Sequence, residues 1–232
     1  MPSRNDPLPV TGCRPVGDLQ RTRIKICGLR QAGDVRAAVD AGADAIGLVF
    51  YRQSLRFVDF AQALELTRLL PPFVTPVGLF VNAAADEIDA AVKAVPNLLL
   101  QFHGDETPSF CGSFARPFMK VARMTPGLDL LDFARQFANA QAILVDAHVD
   151  AYGGGGKVFD WSLIPADVSL PVVLSGGLHA GNVIQGIRQV RPWAVDVSSG
   201  VESERGIKDA ASIRRFCEAV READARRAVV ET

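Results

Sequence analysis

The sequence has little net charge and no long apolar run. Its 25 Lys and Arg residues nearly balance 26 Asp and Glu residues, which leaves a formal charge of −1 at pH 7. No dense basic cluster offers an electrostatic footprint for nucleic acid, and no run of about 20 apolar residues offers a membrane span. These absences exclude nucleic acid and membrane as predicted partners and favour a small molecule.

Cysteine and histidine are scarce as well, with four and three residues in 232. Cys13, Cys27, Cys111 and Cys217 lie far apart, without the spacing of a zinc ribbon or a disulfide framework. No secretory signal precedes them. We therefore expect reduced thiols, a cytoplasmic location and no structural metal, and we assign Cys111 and Cys217 to helix packing.

The apolar fraction of the sequence is 48%, which is typical of one globular domain of the larger kind. Residues 1–22 mix Pro, Gly, Arg and Asp without apolar periodicity, so we predict a flexible extension outside the fold. Residues 23–232 are then predicted to form a single catalytic domain.

From Arg23 onward, short apolar runs alternate with longer stretches that carry Ala, Leu and charges at helical spacing, which predicts eight strand–helix units. The predicted strands cover residues 23–27, 44–50, 74–81, 98–103, 118–122, 142–146, 172–175 and 194–198. The predicted helices begin near Gln31, Asp59, Ala84, Asp105, Gly127, Asp160, His179 and Ile207. No Gly-x-Gly-x-x-Gly turn follows the first strand, which argues against an open doubly wound sheet. The predicted class is α/β, a single (β/α)8 TIM barrel of parallel strands.

Two strand ends of this barrel carry groups suited to acid and base chemistry, because reactive residues of TIM barrels lie at the carboxyl ends of strands. Cys27 ends the first predicted strand, and Asp146 ends the sixth. A thiol with a pKa of about 8.5 is mostly protonated at neutral pH, and Lys25 would place a positive charge one layer below the sulfur. A small buried hydrophobic role for Cys27 and a loop cap for Asp146 are the alternatives.

Two glycine loops follow predicted strands 7 and 8, where barrels commonly bind phosphate through backbone amides. They contain Gly176 and Gly177 in the first loop, and Ser198, Ser199 and Gly200 in the second. The alternative is that these glycines only turn the chain. The presence of both loops on adjacent strands favours a phosphorylated ligand.

A further glycine run follows the sixth strand and resembles a nucleotide phosphate loop. Ala151 stands where the first glycine of that motif belongs, and Val158 stands where Ser or Thr would hold magnesium, so we reject this interpretation. Gly154, Gly155 and Gly156 are predicted to form a mobile flap over the ligand or a flexible connection.

Five side chains near strand ends are candidate contacts for a metal ion or a ligand. Asp146, His148 and Asp150 alternate like metal ligands, but the strand ends at Asp146 and no other histidine is near in sequence, so no metal is predicted. His103 lies on the catalytic rim and is a satisfied strand-end residue in the simpler interpretation. Arg56, in the loop after strand 2, is either a clamp for a carboxylate or a solvated surface residue.

Several short motifs together resemble the phosphoribosylanthranilate isomerase family, in order and at sensible spacing from about Arg23 to Phe216. They are Lys25-Ile26-Cys27-Gly28-Leu29, Gly78-Leu79-Phe80-Val81-Asn82, Gln101-Phe102-His103-Gly104, the run from Gly153 to Lys157 with Phe159-Asp160-Trp161, Ser175-Gly176-Gly177-Leu178, and Asp196 through Glu202. The resemblance implies an aldose–ketose isomerase that acts in tryptophan biosynthesis, which is part of aromatic amino acid biosynthesis. Its reaction is an Amadori rearrangement of N-(5-phosphoribosyl)anthranilate that needs no metal or cofactor.

The resemblance also implies roles for individual residues. Asp146 would be the general acid on the furanose ring oxygen, and Cys27 the general base on the C2 proton. Arg56 would hold the anthranilate carboxylate, and Asp196 would meet the anthranilate side of the substrate. The glycine loops would hold the sugar phosphate, while Lys25 and His103 would line the substrate site.

Two departures from the family pattern and two competing functions remain open at this point. Ser54-Leu55-Arg56 replaces the usual Ser-Pro-Arg, which loosens the turn that aims Arg56, and Gly155 replaces the usual threonine of the flap. One alternative is indole-3-glycerol-phosphate synthase or a histidine-pathway isomerase, although these lack the cysteine motif. The other alternative is a barrel that binds a phosphosugar without turnover. The sequence is also compatible with both a monomer and a homodimer.

Overall fold

The computed structural model describes residues 21–125, 127–147 and 159–230. Eight strands close into a barrel in chain order, and every neighbouring pair is parallel, including the first with the last. The predicted TIM barrel is therefore confirmed.

The barrel strands lie within a few residues of their predicted bounds, because buried apolar runs between turns define strands well. They are β1 (Arg23–Cys27), β2 (Ala45–Val49), β3 (Thr75–Phe80), β4 (Leu99–Phe102), β5 (Phe118–Met124), β6 (Ala142–Ala147), β7 (Val172–Leu174) and β8 (Ala194–Val197). A short antiparallel hairpin follows β8 and consists of β9 (Glu202–Glu204) and β10 (Ile207–Lys208). The sequence did not predict this hairpin, and the helix that was predicted to begin near Ile207 begins at Ala210, just after the hairpin.

The helices surround the barrel, and two of them begin directly after polar residues that the sequence indicated, Gln31 and Asp59. They are α1 (Ala32–Asp40), α2 (Phe60–Thr67), α3 (Ala85–Ala94), α4 (Pro108–Gly112), α5 (Leu130–Gln136), α6 (Val183–Val190) and α7 (Ala210–Val230). The Asp59 side chain accepts a hydrogen bond from Gln62 N at the start of α2, and Asp209 accepts one from Ser212 N at the start of α7. Such contacts satisfy backbone donors that the helix itself leaves free.

The sixth predicted helix is wrong for the described residues between β6 and β7. In place of an α-helix, these residues contain one short 3₁₀ turn, Trp161–Leu163, capped by Asp160. Ile164 ends the turn in an extended conformation. It precedes Pro165, and proline disfavours the helical conformation in the residue before it.

The hydrophobic residues of the barrel form an outer layer and an inner layer. Outward side chains of the strands, such as Ile26 and Phe102, pack against the helices. Inward side chains, such as Met119 and Leu144, fill the barrel interior. Because the interior is packed, the space for ligand chemistry lies at the carboxyl ends of the strands.

Two residues before β1 belong to the packed domain. Arg21 forms an ion pair with Asp44, and Thr22 donates hydrogen bonds from N and Oγ1 to Asp224 on α7, both at 2.7 Å. The flexible extension was predicted for residues 1–22, of which residues 1–20 lie outside those described. Among the described residues, no helix combines the length and apolar character needed to span a membrane.

Candidate active site

Cys27 lies at the carboxyl end of β1 and is 4% exposed. Its sulfur packs over β2, where a Cβ added to Gly47 would stand 2.6 Å from Sγ. Burial raises the pKa of the Cys27 thiol, and the nearby Lys25 and Lys208 oppose this rise without cancelling it. The thiol therefore needs positive charge close by before it can act as a base.

The sequence suggested that Lys25 acts on Cys27, but in the structure Lys25 also forms an ion pair with Asp196. Its Nζ donates to Asp196 Oδ1 on the neighbouring strand β8 at 2.7 Å, and both side chains are buried. Ser175 Oγ at the end of β7 donates to the other oxygen of Asp196 at 3.2 Å. Burial lowers the pKa of Lys25, but Asp196 and Cys27 more than offset burial, so its pKa is raised.

A second group of charges, which we call the Glu202 cluster, consists of Arg56, Glu202 and Lys208. Arg56 donates from Nε and Nη2 to the two oxygens of Glu202, each at 2.7 Å, and Lys208 Nζ donates to Oε1 at 2.7 Å. Burial opposes the charge of Glu202, but these two cations lower its pKa to about 2. Arg56 is 7% exposed, so a solvated surface role is wrong.

The turn that carries Arg56 is held although it lacks the family's proline. Ser54 Oγ accepts a hydrogen bond from Arg56 N at 3.1 Å, and Arg30 Nη1 donates to Leu55 O at 2.9 Å. The side chain of Arg56 also covers Gly28, where an added Cβ would stand 2.5 Å from Cδ. These contacts replace the rigidity that proline would supply.

Asp146 lies at the end of β6 and contacts His103, which directly follows β4, with 3.2 Å between Nε2 and Oδ2. Gln101, one inward position below on β4, places its Nε2 at 3.2 Å from His103 Nδ1. His103 thus lies between the Gln101 amide at Nδ1 and the Asp146 carboxyl group at Nε2. The sequence predicted that His103 lies on the rim, but it did not predict that Gln101 contacts the other side of the imidazole ring.

A buried ion pair outside the barrel fixes the loop that follows His103. Lys120 Nζ on β5 donates to Glu106 Oε2 at 2.8 Å and to Gly104 O at 2.7 Å. Glu106 in turn accepts from Asn82 N at 2.8 Å. Sequence analysis missed this pair, since Lys120 stands inside a predicted strand and gives no sign of facing a partner.

The loops after β7 and β8 touch each other. Gly176 and Gly177 have φ values of +78° and +68°, and a Cβ on Gly200 would stand 1.9 Å from Leu178 O. Within the described residues, the N–H groups of Gly176, Gly177 and Ser199 donate to no other backbone oxygen. These amides are therefore available to an anion.

Ser198 differs from its neighbours in the second glycine loop. Its hydroxyl donates to Cys27 O at 3.1 Å, and Lys208 Nζ donates to Ser198 O at 2.8 Å. Ser198 thus joins Cys27 to the Glu202 cluster, a contact that the predicted phosphate role did not include.

The mouth of the barrel has a polar side and an apolar side. The polar side runs from His103 and Asp146 to Ser175, Asp196 and Lys25. The apolar side is formed beside Cys27 by the buried cluster of Val49, Leu79 and Val81, with Tyr51 packed against it.

Some predicted site residues cannot be placed. Gly154, Gly155 and Gly156 of the predicted flap lie outside the described residues, as do His148 and Asp150 of the rejected metal site. In the described ranges, no group of three or more His, Cys, Asp or Glu side chains is arranged to hold a metal ion.

The fold and these side chains define a TIM-barrel enzyme whose candidate acid and base lie at strand ends beside two glycine loops. The family model described as N-(5'-phosphoribosyl)anthranilate isomerase matches residues 24–219. This chain is 67% identical over 211 residues to that isomerase from Methylibium petroleiphilum, a match that covers 91% of this chain and 99% of the relative.

Solved structures agree with this assignment. The phosphoribosyl anthranilate isomerase of Thermotoga maritima has a TM-score of 0.81 and 39% identity, over 87% of this chain and 99% of that one. An isomerase in complex with reduced 1-(o-carboxyphenylamino)-1-deoxyribulose 5-phosphate has a TM-score of 0.77 and 36% identity, over the same shares of the two chains. The chain belongs to the N-(5'-phosphoribosyl)anthranilate isomerase family and is an isomerase of tryptophan biosynthesis.

Proposed function

We propose that Asp146 and Cys27 carry the Amadori rearrangement of N-(5-phosphoribosyl)anthranilate to 1-(2-carboxyphenylamino)-1-deoxyribulose 5-phosphate. The observation that supports this most strongly is their shared position at the mouth of one barrel, Cys27 at the end of β1 and Asp146 at the end of β6. The relatives named for this isomerase and the structure with a reduced product support the choice of substrate. The enzyme would work in the cytoplasm without a cofactor.

The first step is opening of the sugar ring. Asp146 would donate its proton to the furanose oxygen while the bond from C1 to that oxygen breaks, and the nitrogen lone pair forms a protonated imine with C1. His103 holds one carboxyl oxygen, and Ala147 N donates to the other at 2.9 Å. These contacts would orient the carboxyl group toward the ring oxygen.

The second step is removal of the proton from C2. The Cys27 thiolate would take this proton, the electrons of the C–H bond would form a C1–C2 double bond, and the imine nitrogen would become neutral. The resulting enolamine then gains a proton at C1 and loses one from the C2 hydroxyl, which leaves the ketone. Acid and base are thus needed on different atoms of the sugar, in keeping with residues from separate strands.

The two sides of the mouth would bind the two ends of the substrate. The amides of Gly176, Gly177, Ser199 and Gly200 would hold the phosphate. The apolar wall of Val49, Leu79 and Val81 suits an aromatic ring.

The anthranilate carboxylate would take the outer edge of Arg56. Arg56 Nε and one hydrogen of Nη2 are occupied by Glu202, so Nη1 and the other Nη2 hydrogen remain for the ligand. Lys25 and Asp196 would lie on the anthranilate side, below the reacting carbons. His103 would line the opposite side, beside Asp146.

Turnover can be tested with purified protein and N-(5-phosphoribosyl)anthranilate. We expect the anthranilate fluorescence of the substrate to decay while the aminodeoxyribulose phosphate accumulates in equal amount by chromatography. Binding in titration without decay would show a phosphosugar-binding barrel without turnover. Consumption of the product by ring closure to an indole would instead point to the synthase.

A further inference from the structure

Among the described residues, the charged groups around the Cys27 thiol carry an excess of one positive charge. Five side chains form the set, and each belongs to a different element or loop around the end of β1. They are Lys25 on β1, Arg56 after β2, Asp196 on β8, Glu202 on β9 and Lys208 on β10. Three of them are cations and two are anions.

The charges of four of these groups cancel within two ion pairs. Lys25 and Asp196 make a buried pair at 2.7 Å. Arg56 uses two parallel hydrogen bonds to Glu202, which is the geometry of the strongest guanidinium–carboxylate pairs. Lys208 shares Glu202 with Arg56, which makes it the excess, or unmatched, cation of the set.

The contacts of Lys208 agree with this count. Its Nζ shares Glu202 Oε1 with Arg56, while its other contacts are to neutral atoms, Ser198 O at 2.8 Å and Ser198 Oγ at 3.3 Å. The residue is 8% exposed, so water does little to solvate its charge, and an anion shared with a second cation compensates only part of the cost of burial. Burial indeed lowers the pKa of Lys208, although Glu202 and Cys27 both oppose the change.

The same contacts tie Lys208 to Cys27. Ser198 Oγ donates to Cys27 O at 3.1 Å and lies next to the ammonium group of Lys208. We propose that Lys208 is a positioning residue whose buried, unmatched charge stabilises the thiolate of Cys27. This proposal rests on the proposed role of Cys27 as the base.

The proposal changes the assignment made from the sequence. Lys25 lowers the pKa of the Cys27 thiol most and Asp196 opposes it, while Lys208 adds a second stabilising cation from β10, far away in sequence. When Cys27 takes a proton, the site returns from neutral to a charge of one, which favours release of the proton in the next turnover.

The test measures how readily Cys27 reacts with iodoacetamide as a function of pH, by mass spectrometry of the peptide that contains it. Only thiolate reacts. Burial raises the pKa of Cys111 to about 12 and that of Cys217 to about 11, so these two thiols serve as slow internal references.

Two variants that break the same contact distinguish charge from structure. Lys208→Met removes the unmatched cation, and we expect alkylation of Cys27 near neutral pH to slow by roughly tenfold. Glu202→Gln removes an anion from the same hydrogen bond, and we expect alkylation to become faster. Lys208→Arg, which keeps the charge, should restore most of the wild-type rate.

The proposal is tested by the opposite directions in which the two variants should change the alkylation rate of Cys27. Equal changes of the same sign in Lys208→Met and Glu202→Gln would overturn the proposal, because loss of the contact alone would then explain both. An unchanged rate in folded Lys208→Met would overturn it as well. If Lys208→Met does not fold, slower or unchanged alkylation in Glu202→Gln would by itself overturn the proposal. Because alkylation needs no substrate, these results stand apart from any failure of isomerase turnover.

Discussion

Cys27 and Asp146 both end a barrel strand, yet their surroundings differ. The thiol has apolar neighbours, Val49 and Leu79, and cations behind it. The carboxyl group has two hydrogen-bonding neighbours, His103 and Ala147 N. The thiol, which must be deprotonated before it can act as a base, thus lies beside positive charge, and the acid is held by directional hydrogen bonds, which suits each to its proposed step.

Replacement of either residue should slow the chemical step. We expect Cys27→Ala and Asp146→Asn each to lower kcat by about 10²–10⁴-fold with KM little changed, because general acid or base terms act in the transition state. Steady-state fluorescence assays give both constants. Cys217→Ala, which removes a buried thiol on α7, is the matched control and should keep the wild-type kcat. A near-normal kcat in Cys27→Ala or Asp146→Asn would reassign that residue's role.

The position of a side chain at the barrel mouth could be predicted from the sequence, but its partner could not. Cys27, Asp146 and His103 were placed at the mouth because each ends a predicted strand, and the ends of parallel strands meet at one face of the barrel. Gln101, Glu202 and Lys208 were missed as partners. Their importance depends on which side chain they contact, and a local pattern carries no information about that.

At the scale of elements, the β9–β10 hairpin matters most for the site. It brings Glu202 to Arg56 across 146 residues of sequence and carries Lys208 to Ser198. Its strands have three and two residues, which is too short for apolar alternation to reveal them. The glycine loops after β7 and β8, in contrast, were readable because glycine marks a turn directly.

The contact between these two loops predicts a strict need for glycine at position 200. In Gly200→Ala the new Cβ would stand 1.9 Å from Leu178 O, a backbone atom. We expect the loops to separate, the phosphate to be misplaced, and kcat/KM to fall by about 10²-fold.

Gly33→Ala is the matched control, because a Cβ there meets nothing within 4 Å, and its kcat/KM should stay at the wild-type value. Inorganic phosphate as a competitive inhibitor gives a second measurement, with weaker inhibition expected for Gly200→Ala. Wild-type kinetics in that variant would show that the two loops need not touch.

At the scale of the whole molecule, barrel closure joins the two ends of the chain. β1 pairs with β8, and Thr22 before β1 donates two hydrogen bonds to Asp224 on the last helix. Thr22 is 3% exposed, so water has little access to its hydrogen-bond donors. This contact lies at the amino end of β1, away from the catalytic mouth.

Loss of this contact should destabilise the fold without affecting catalysis. We expect Asp224→Ala to lower the free energy of unfolding by about 1–3 kcal/mol, since it leaves buried donors unsatisfied. Urea denaturation measures the change, and kcat should remain at the wild-type value. Glu222→Ala on the same helix, at an exposed position, should change stability by less than about 0.5 kcal/mol. Equal stability of the two variants would contradict the prediction.

The sequence by itself determined the eight strands, the barrel and the strand ends that carry Cys27, Asp146 and the glycine loops, because apolar periodicity and turn residues act over a few neighbouring positions. Only the tertiary structure decided the charges around the thiol. Lys25 and Asp196 are 171 residues apart, and they meet because β1 and β8 close the barrel. The strength of a buried charge depends on distance and burial in the folded protein, so closure paired Lys25 with Asp196, and the hairpin brought Lys208 to a carboxylate that Arg56 already holds.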